Sequence, residues 1–216
     1  FPPGATFLIN STVALGSNTT LKGKGVIKSG ITGTGHVAGF LFYATELSGI
    51  VFDGLIINGN AQTSAYNGTA YPGILGCFSS DNVVVKDCHV YDSDGDCLYF
   101  GLTSGAAQNT NIRVHDNLLE NARRDGIALT CGIGVEITNN RILETYGIGI
   151  DIEPNAGETV DRLLVQGNYV YASRDDDGDG PNWSRGLDIT TQDGTIGAAD
   201  VIGNHFELEL DSGDLD

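Results

Sequence analysis

Apolar and polar residues alternate along most of the chain in short runs, and the runs recur as one repeating unit. The unit reads apolar-x-apolar-x-x-Asn-x-apolar, and Gly-apolar-x-apolar begins nine residues after the Asn. Alternation with a period of two predicts β-strands. Three short strands per unit, separated by sharp corners, wind a chain into stacked turns, here called rungs. The pattern therefore predicts an all-β protein, a right-handed parallel β-helix of about seven rungs.

Two consecutive units show this pattern in full register. They begin at Ile112 and Val135, and weaker units begin near residues 50, 83, 163 and 199. The core of one unit takes about 23 residues, so wider spacings contain extra loop residues. Most of these precede the Gly-led strand, in 59–71 and 172–185. Variable loops along one side of a rigid sheet predict a binding cleft there.

An asparagine recurs at one corner of the unit. Asn tolerates left-handed backbone geometry, and its side-chain amide can hydrogen-bond to the Asn of the next rung. We expect a ladder that consists of Asn117, Asn140, Asn168 and Asn204.

The net charge of the chain argues against some classes of binding partner. Acidic residues outnumber basic ones 28 to 11, and the formal net charge of −17 repels phosphate backbones and anionic membrane surfaces. We therefore expect no nucleic-acid partner. No apolar run approaches the roughly 18 residues of a membrane span, so no membrane insertion is expected. The charge fits an external, calcium-containing setting, or it serves solubility alone.

The whole chain, residues 1–216, is expected to form a single β-helix domain. It begins at Phe1 without an initiator methionine, which indicates a fragment or a processed part of a longer protein. The four cysteines allow three disulfide pairings and match no zinc or redox spacing, so we expect buried free thiols. They are Cys77, Cys88, Cys97 and Cys131.

Two segments carry a resemblance to known proteins. They are the first residues, FPPGATFLINSTVALGSNTTLKGKG, and the later coil VEITNNRILETYGIGIDIEPN. The first resembles the start of the β-helix in phage tailspike and polygalacturonase-related proteins, and the second resembles the standard coil of the pectate-lyase-like superfamily. The resemblance spans nearly the whole chain. It implies a parallel β-helix whose Gly-led strands line a groove, and an activity among lyases, hydrolases, epimerases or non-catalytic stalks.

The candidate site residues lie just before the Gly-led strands or point outward from them. The candidate catalytic residues are Asp96, Asp125, Asp151, Asp188 and Arg124. The candidate substrate-binding residues are Tyr99, Arg123, Tyr146, Trp183 and Arg185.

These residue types suit a saccharide. Aromatic faces stack on sugar rings, arginines hold uronate carboxylates, and paired acids divide the roles of general acid and of general base or nucleophile. Asp96 and Asp125 are expected on adjacent rungs, about 4.8 Å apart, where one carboxylate raises the pKa of the other. A lyase would instead need a base such as an arginine, with Arg123, Arg124 and Arg185 as the candidates.

The segments DGDCLYF and RRDGIAL resemble the aspartate-bearing strands of polygalacturonases. This resemblance implies that Asp96 and Asp125 cleave the glycosidic bond. The chain lacks the Gly-His-Gly and Arg-x-Lys elements that follow in that family. The alternative is that both acids are solvated turn residues paired with Arg123 and Arg124.

Two loops share the pattern D-x-D-G-D, which can bring alternate carboxylates onto one hard cation. Their aspartates are Asp92, Asp94 and Asp96 in the first loop and Asp175, Asp177 and Asp179 in the second. The second loop resembles the start of an EF-hand but has Gly186 in place of the closing Glu, so it is either a calcium site or a hydrated acidic loop. No other cofactor is required. The histidines are expected to be structural or surface residues: His36, His89, His115 and His205.

The sequence predicts a carbohydrate-active protein that binds and cleaves an acidic or cell-surface polysaccharide, as a glycoside hydrolase or a polysaccharide lyase. The alternative is a non-catalytic glycan-binding or structural module, such as a tailspike shaft or an adhesin. Either function places the protein outside the cell, secreted or virion-associated. The tailspike resemblance also implies a homotrimer.

Overall fold

Three parallel β-sheets surround one apolar core in the computed structural model of the protein. The structure describes residues 1–31, 39–61, 73–172 and 185–208. In chain order the strands are β1 (Thr6–Ile9), β2 (Val13–Ala14), β3 (Thr20–Lys22), β4 (Val26–Ser29), β5 (Phe40–Thr45), β6 (Ser48–Asp53), β7 (Ile56–Asn58), β8 (Gly73–Phe78), β9 (Asp81–Lys86), β10 (His89–Ser93), β11 (Leu98–Gly101), β12 (Thr110–His115), β13 (Leu118–Ala122), β14 (Ile127–Leu129), β15 (Gly132–Thr138), β16 (Arg141–Thr145), β17 (Ile148–Ile152), β18 (Thr159–Gln166), β19 (Tyr169–Ala172), β20 (Arg185–Ile189), β21 (Thr195–Ile196), β22 (Ala199–Ile202) and β23 (His205–Leu208).

Each pass of the chain adds strands to the three sheets in turn. Sheet A has the order β1-β4-β7-β10-β13-β16-β19-β23, and sheet B has the order β2-β5-β8-β11-β14-β17-β20. Sheet C has the order β3-β6-β9-β12-β15-β18-β21, and β22 also pairs with β18. All these pairings are parallel, which confirms the predicted all-β solenoid. Sheet B contains the strands that the sequence pattern describes as Gly-led.

The inward-facing side chains stack in columns from rung to rung. In sheet C, Val83, Ile112, Val135 and Leu163 lie in register and are at most 2% exposed. Because parallel pairing places equivalent positions above one another, each repeat buries the same apolar positions. The repeated apolar residues thus form one continuous buried cluster.

The predicted asparagine ladder lies at the corner between sheets C and A. The side-chain Nδ2 of each Asn donates to the Oδ1 of the next, at 2.9 Å from Asn117 to Asn140, 3.0 Å from Asn140 to Asn168 and 2.9 Å from Asn168 to Asn204. Each amide also donates to a strand carbonyl; Asn140, for example, donates to Val114 at 2.9 Å. The ladder therefore satisfies buried backbone groups as well as its own amides.

The left-handed backbone lies one residue before each ladder asparagine. Asp116, Asn139, Gly167 and Gly203 have φ values of 57°, 55°, 65° and 61°, and none of the four ladder residues has a positive φ. The expectation that the asparagines themselves adopt this geometry is wrong. The preceding residue makes the reversal, and the Asn side chain can then point into the corner.

All four cysteines are buried free thiols, as expected. Burial raises the pKa of Cys77 to about 12 and that of Cys131 to about 11, so the thiols stay protonated and pack as small apolar groups. In the described part of the chain, no helix is long and apolar enough to cross a membrane.

Candidate functional site

The outward face of sheet B, here called the groove face, brings together most of the predicted site residues that the structure describes. Tyr99, Ala128, Asp151 and Asp188 lie opposite one another on consecutive strands and form one outward column. Asp96 and Asp125 lie directly before β11 and β14. The backbone N–H of Cys97 donates to the carbonyl of Asp125 at 3.0 Å, so the two turns stack like the strands that follow them.

Near the ends of β10, β13 and β16 in sheet A, one left-handed residue helps the chain to turn toward sheet B. Asp92, Asn121 and Glu144 occupy equivalent positions on three rungs and have φ values of 55°, 53° and 55°. The hydroxyl of Ser93 then donates to the carbonyl of Asp96 at 2.8 Å, which closes the turn before β11. Repetition of this turn places Asp96 and Asp125 above one another.

Arg124 joins the two acids of these turns. Its Nη1 lies 3.1 Å from Oδ2 of Asp96, and its Nε lies 3.2 Å from Oδ2 of Asp125. The other carboxylate oxygens accept backbone N–H groups, Asp96 from Asp125 at 3.2 Å and Asp125 from Ile148 at 2.8 Å. Both acids are at most 2% exposed, whereas the Arg124 side chain is 27% exposed. The alternative that these acids are solvated turn residues is therefore wrong, although their pairing with Arg124 is as that alternative described.

Gly147 leaves the room that this arrangement needs. A Cβ at residue 147 would lie 2.7 Å from Oδ1 of Asp125 and 2.7 Å from the carbonyl oxygen of Arg124. Both distances are shorter than a van der Waals contact, so a larger residue would displace the carboxylate or the turn.

Burial raises the pKa of Asp96, Asp125 and Asp151, which we call the carboxylate cluster. For Asp125 the charge of Asp96 raises the pKa further, and Arg124 opposes both effects. For Asp96 Arg124 is the main opposing influence. Burial and the charge of Asp125 raise the pKa of Asp151 to about 7. The cluster therefore holds protons at neutral pH that exposed aspartates would lose.

Asp151 differs from the other two acids in its hydrogen bonding. Its Oδ1 is buried and has no hydrogen-bond partner among the described residues. A buried carboxylate oxygen without a partner is costly, and such groups concentrate where a ligand or a reaction requires them. Asp151 is thus the member of the carboxylate cluster that has a side-chain oxygen without a hydrogen bond.

Asp188 is the next residue of the outward column and has a different environment. It forms an ion pair with Arg185 three residues earlier on the same strand. Its side chain is 15% exposed, and its charge is one of the influences that raise the pKa of Asp151. Asp188 and Arg185 therefore border the carboxylate cluster without joining it.

The remaining predicted residues lie in turns before the sheet B strands or outside the described residues. Arg123 and Tyr146 lie in the turns before β14 and β17, where their backbone N–H groups donate to Ser93 at 3.1 Å and to Ala122 at 3.0 Å. Trp183 lies outside the described residues, as do the proposed calcium ligands Asp175, Asp177 and Asp179.

The first D-x-D-G-D loop does not gather its carboxylates. Asp92 accepts a hydrogen bond from Asn121 at 2.7 Å, whereas Asp96 binds Arg124. Within residues 1–31, 39–61, 73–172 and 185–208, no group of three His, Cys, Asp or Glu side chains is placed to hold a metal ion. In this loop the carboxylates of Asp92 and Asp96 therefore each contact a residue of the adjacent rung.

The groove face also contains an aromatic group that sequence reasoning missed, apart from Tyr99. We call it the aromatic platform, and it consists of Phe40, Tyr43, Phe78 and Tyr99. The Phe78 ring centroid lies 5.8 Å from that of Phe40, 5.4 Å from that of Tyr43 and 5.4 Å from that of Tyr99. The outward positions of Tyr43 and Phe78 in their strands were the available signal.

The described histidines lie away from the groove face, as expected. His89 and His205 belong to sheet A, and His115 ends β12 in sheet C. His36 lies outside the described residues.

A depression of about 430 Å³ lies on another face, that of sheet C. Its wall includes Arg113 and Glu136, which form an ion pair with 3.6 Å between Nε and Oε2. Both side chains are more than half exposed, so the pair is solvated and needs no ligand. The carboxylate cluster remains the stronger candidate site.

The chain belongs to the family described as the right-handed β-helix region, whose sequence model matches residues 13–206. Among solved structures it is similar to a "putative glycosyl hydrolase" from Parabacteroides merdae ATCC 43184, with a TM-score of 0.55 and 15% identity over 83% of this chain and 81% of that one. It is also similar to the Streptococcus pneumoniae surface protein and adhesin PfbA, with a TM-score of 0.39 and 12% identity over 97% of this chain and 89% of that one. No curated protein matches the sequence significantly. These likenesses concern the fold.

Proposed function

We propose that the protein cleaves glycosidic bonds of a polysaccharide at the carboxylate cluster on the groove face. The observation that carries the proposal is the convergence of three buried aspartates on adjacent rungs, one of which has an unpartnered oxygen. Glycoside hydrolysis uses two carboxyl groups in opposite protonation states, one to protonate the leaving oxygen and one to act as base or nucleophile. A cluster with shared protons supplies both states at neutral pH.

Asp151 is the proposed general acid. Its pKa of about 7 keeps a substantial fraction protonated near neutral pH. Its Oδ1 has no hydrogen-bond partner in the described structure, so a proton carried on Oδ1 is not donated to a neighbouring side chain. A glycosidic oxygen bound beside Asp151 would receive that proton as the bond to the leaving sugar breaks.

Asp96 is the proposed base or nucleophile. The Arg124 guanidinium, 3.1 Å away, favours the ionised form of Asp96. Asp125 lies between the other two acids in rung order, and its raised pKa keeps it protonated, so that it can hydrogen-bond to ionised Asp96. Arg124 pairs with both acids and holds them in place, so it acts as a positioning residue.

Hydrolysis is favoured over elimination by the charges around the cluster. Elimination from a uronate needs positive charge to stabilise the carboxylate of the sugar and a base to remove the adjacent proton. Here Arg124 pairs with Asp96 and Asp125, and Arg185 pairs with Asp188. Of the three candidate bases, Arg124 and Arg185 therefore already neutralise protein carboxylates.

An assay on a panel of plant, bacterial and capsular polysaccharides tests the proposal. We expect release of reducing ends without the absorbance of an unsaturated uronate. Unsaturated products would contradict hydrolysis and indicate a lyase. Binding without any product would contradict cleavage and favour the second candidate, a non-catalytic glycan-binding module, which the aromatic platform on the groove face supports.

A further inference from the structure

The aromatic platform lies on β5, β8 and β11 and shares the β11 rung with the carboxylate cluster, since Asp96 lies directly before β11. Tyr43, Phe78 and Tyr99 are half-buried, and Phe40 is 7% exposed. The Phe40 ring lies 5.7 Å from that of Tyr99 and is tilted by 35° to it. Four aromatic rings on three consecutive strands therefore contact one another on one outward face.

Two glycines let these rings lie against the sheet. A Cβ at residue 76 would lie 2.5 Å from the Phe40 ring, and a Cβ at residue 101 would lie 2.5 Å from the Tyr99 ring. Neither Gly76 nor Gly101 has a positive φ, so the backbone conformation does not require glycine. Glycine inside a strand is destabilising, and here it marks a place where rings approach the backbone closely.

The platform is continuous with the carboxylate cluster. Tyr99, Ala128 and Asp151 follow one another in the same outward column, so Tyr99 and Asp151 are two rungs apart, roughly 10 Å at the strand spacing. Ala128 has the smallest side chain in this column after Gly76 and places no bulky group between them. A chain molecule that contacts both must run along the axis of the β-helix.

The charges of this face favour an uncharged ligand. Arg124 pairs with two acids of the cluster and Arg185 pairs with Asp188, and Glu153 lies close enough to Asp151 to raise its pKa. Additional carboxylates of an acidic polysaccharide would face these acids across a short distance. The C–H faces of neutral sugar rings, in contrast, pack well on aromatic rings.

We infer that the aromatic platform binds consecutive sugar rings of a neutral polysaccharide and places the next linkage at the carboxylate cluster. This inference rests on the proposed function, because it takes the cluster as the position of cleavage. The sequence led us to expect an acidic or cell-surface polysaccharide, and the inference narrows this expectation to a neutral one.

Binding to a glycan array separates the inference from the proposed function. The array carries neutral oligomers of glucose, mannose, galactose and rhamnose beside oligogalacturonate and alginate fragments, and the protein carries Asp151→Asn so that ligands are not cleaved. We expect binding to neutral members, weakened about tenfold by Phe78→Ala and by Tyr43→Ala in titration calorimetry. Tyr169→Ala is the matched control, because its ring stacks on His205 in sheet A, away from the groove face.

Phe78→Leu serves if Phe78→Ala does not fold, because leucine retains apolar bulk but lacks a flat ring face. Binding confined to acidic members, binding to no neutral member, or equal affinities of Phe78→Leu, Tyr43→Ala and the control would each overturn the inference. If wild-type protein cleaves a neutral glycan that binds independently of the rings, the proposed function stands and the inference fails. If neutral glycans bind through the rings but are not cleaved, the binding surface stands and the proposed function fails.

Discussion

Three aspartates on neighbouring rungs have raised pKa values, so together they hold protons that exposed aspartates would lose. Their environment explains this, since Asp96, Asp125 and Asp151 are all at most 4% exposed and share one nearby arginine, Arg124. Desolvation penalises each charge, and the acids penalise one another. A buried group of this kind costs stability, which proteins commonly accept at functional sites.

The stability of the protein should fall as the pH rises from about 4 toward 8. The pKa of Asp151 rises from 3.8 in the unfolded chain to about 7 in the fold, so the folded state binds more protons over this range. The slope of the unfolding free energy with pH is then negative, and Asp151 alone contributes at most roughly 4 kcal/mol. Urea unfolding at pH 5 and pH 8 measures this difference.

Asp125→Asn provides the matched variant for that measurement. The substitution keeps the shape of the side chain. It removes a carboxyl group whose ionised form is disfavoured by burial and by the charge of Asp96. We expect a flatter dependence on pH and a higher unfolding free energy at pH 8 than in the wild type. A dependence as steep as that of the wild type would show that Asp125 does not retain its proton in the fold.

The pH dependence of kcat/KM should be bell-shaped. The acid limb reports the ionisation of Asp96, which burial moves above the ordinary range of an aspartate, and the alkaline limb reports the loss of the Asp151 proton near pH 7. Rates of reducing-end release between pH 4 and pH 9 measure both limbs. A rate that is constant from pH 6 to pH 9 would contradict the assignment of Asp151 as general acid.

At the scale of the strands and corners, the asparagine ladder connects each rung to the next. Asn140 accepts from the backbone and side chain of Asn117 and donates to Val114 and Asn168. Asn140 is 1% exposed, so water cannot replace these hydrogen bonds. The ladder fixes the register of the rungs and, through it, the stacking of the turns that carry Asp96 and Asp125.

Asn140→Ala should lower the unfolding free energy by roughly 3 kcal/mol, because it leaves several buried polar groups without partners. Asn204→Ala should cost about half as much, since Asn204 lies at the last described step of the ladder and is only half-buried. Equilibrium unfolding in urea compares the two variants. An equal or greater loss of unfolding free energy in Asn204→Ala would contradict the view that burial determines how much each ladder asparagine stabilises the protein.

The repeat made most of the fold predictable, whereas the turns were predicted less well. Strand positions, the outward column and the asparagine ladder follow from a period that each rung repeats. The left-handed residues of the ladder corner lie one position earlier than expected, because the period does not specify which corner residue makes the reversal. Side-chain direction in a turn depends on such local geometry.

In the candidate site, too, the rung positions of residues were predicted better than the side-chain contacts in the turns. Asp96 and Asp125 were expected on adjacent rungs, and they lie there, but the sequence did not show that Arg124 contacts both while Asp92 turns to Asn121. The aromatic platform escaped notice because the ring of Phe40, the first residue of β5, covers Gly76 of the next strand, a contact that no repeat encodes.

At the scale of the whole molecule, the solenoid places ligand contacts and catalysis along one axis. The aromatic platform extends from β5 to β11 in sheet B, and the carboxylate cluster extends from the turn before β11 to β17. A long, rigid face suits a polymer better than a small ligand, because successive rungs present successive contacts. The extracellular or virion-associated location and the homotrimer stay predictions from the sequence.

The most direct test of the account is the cleavage rate of Asp151→Asn on a polysaccharide that the wild type cleaves. We expect kcat to fall by at least about a hundredfold, because the variant cannot donate a proton to the leaving sugar. Asp116→Asn, which changes an exposed acid at the ladder corner, should retain the wild-type kcat. An Asp151→Asn protein that is folded and as active as Asp116→Asn would contradict the proposal that the carboxylate cluster is the site of cleavage.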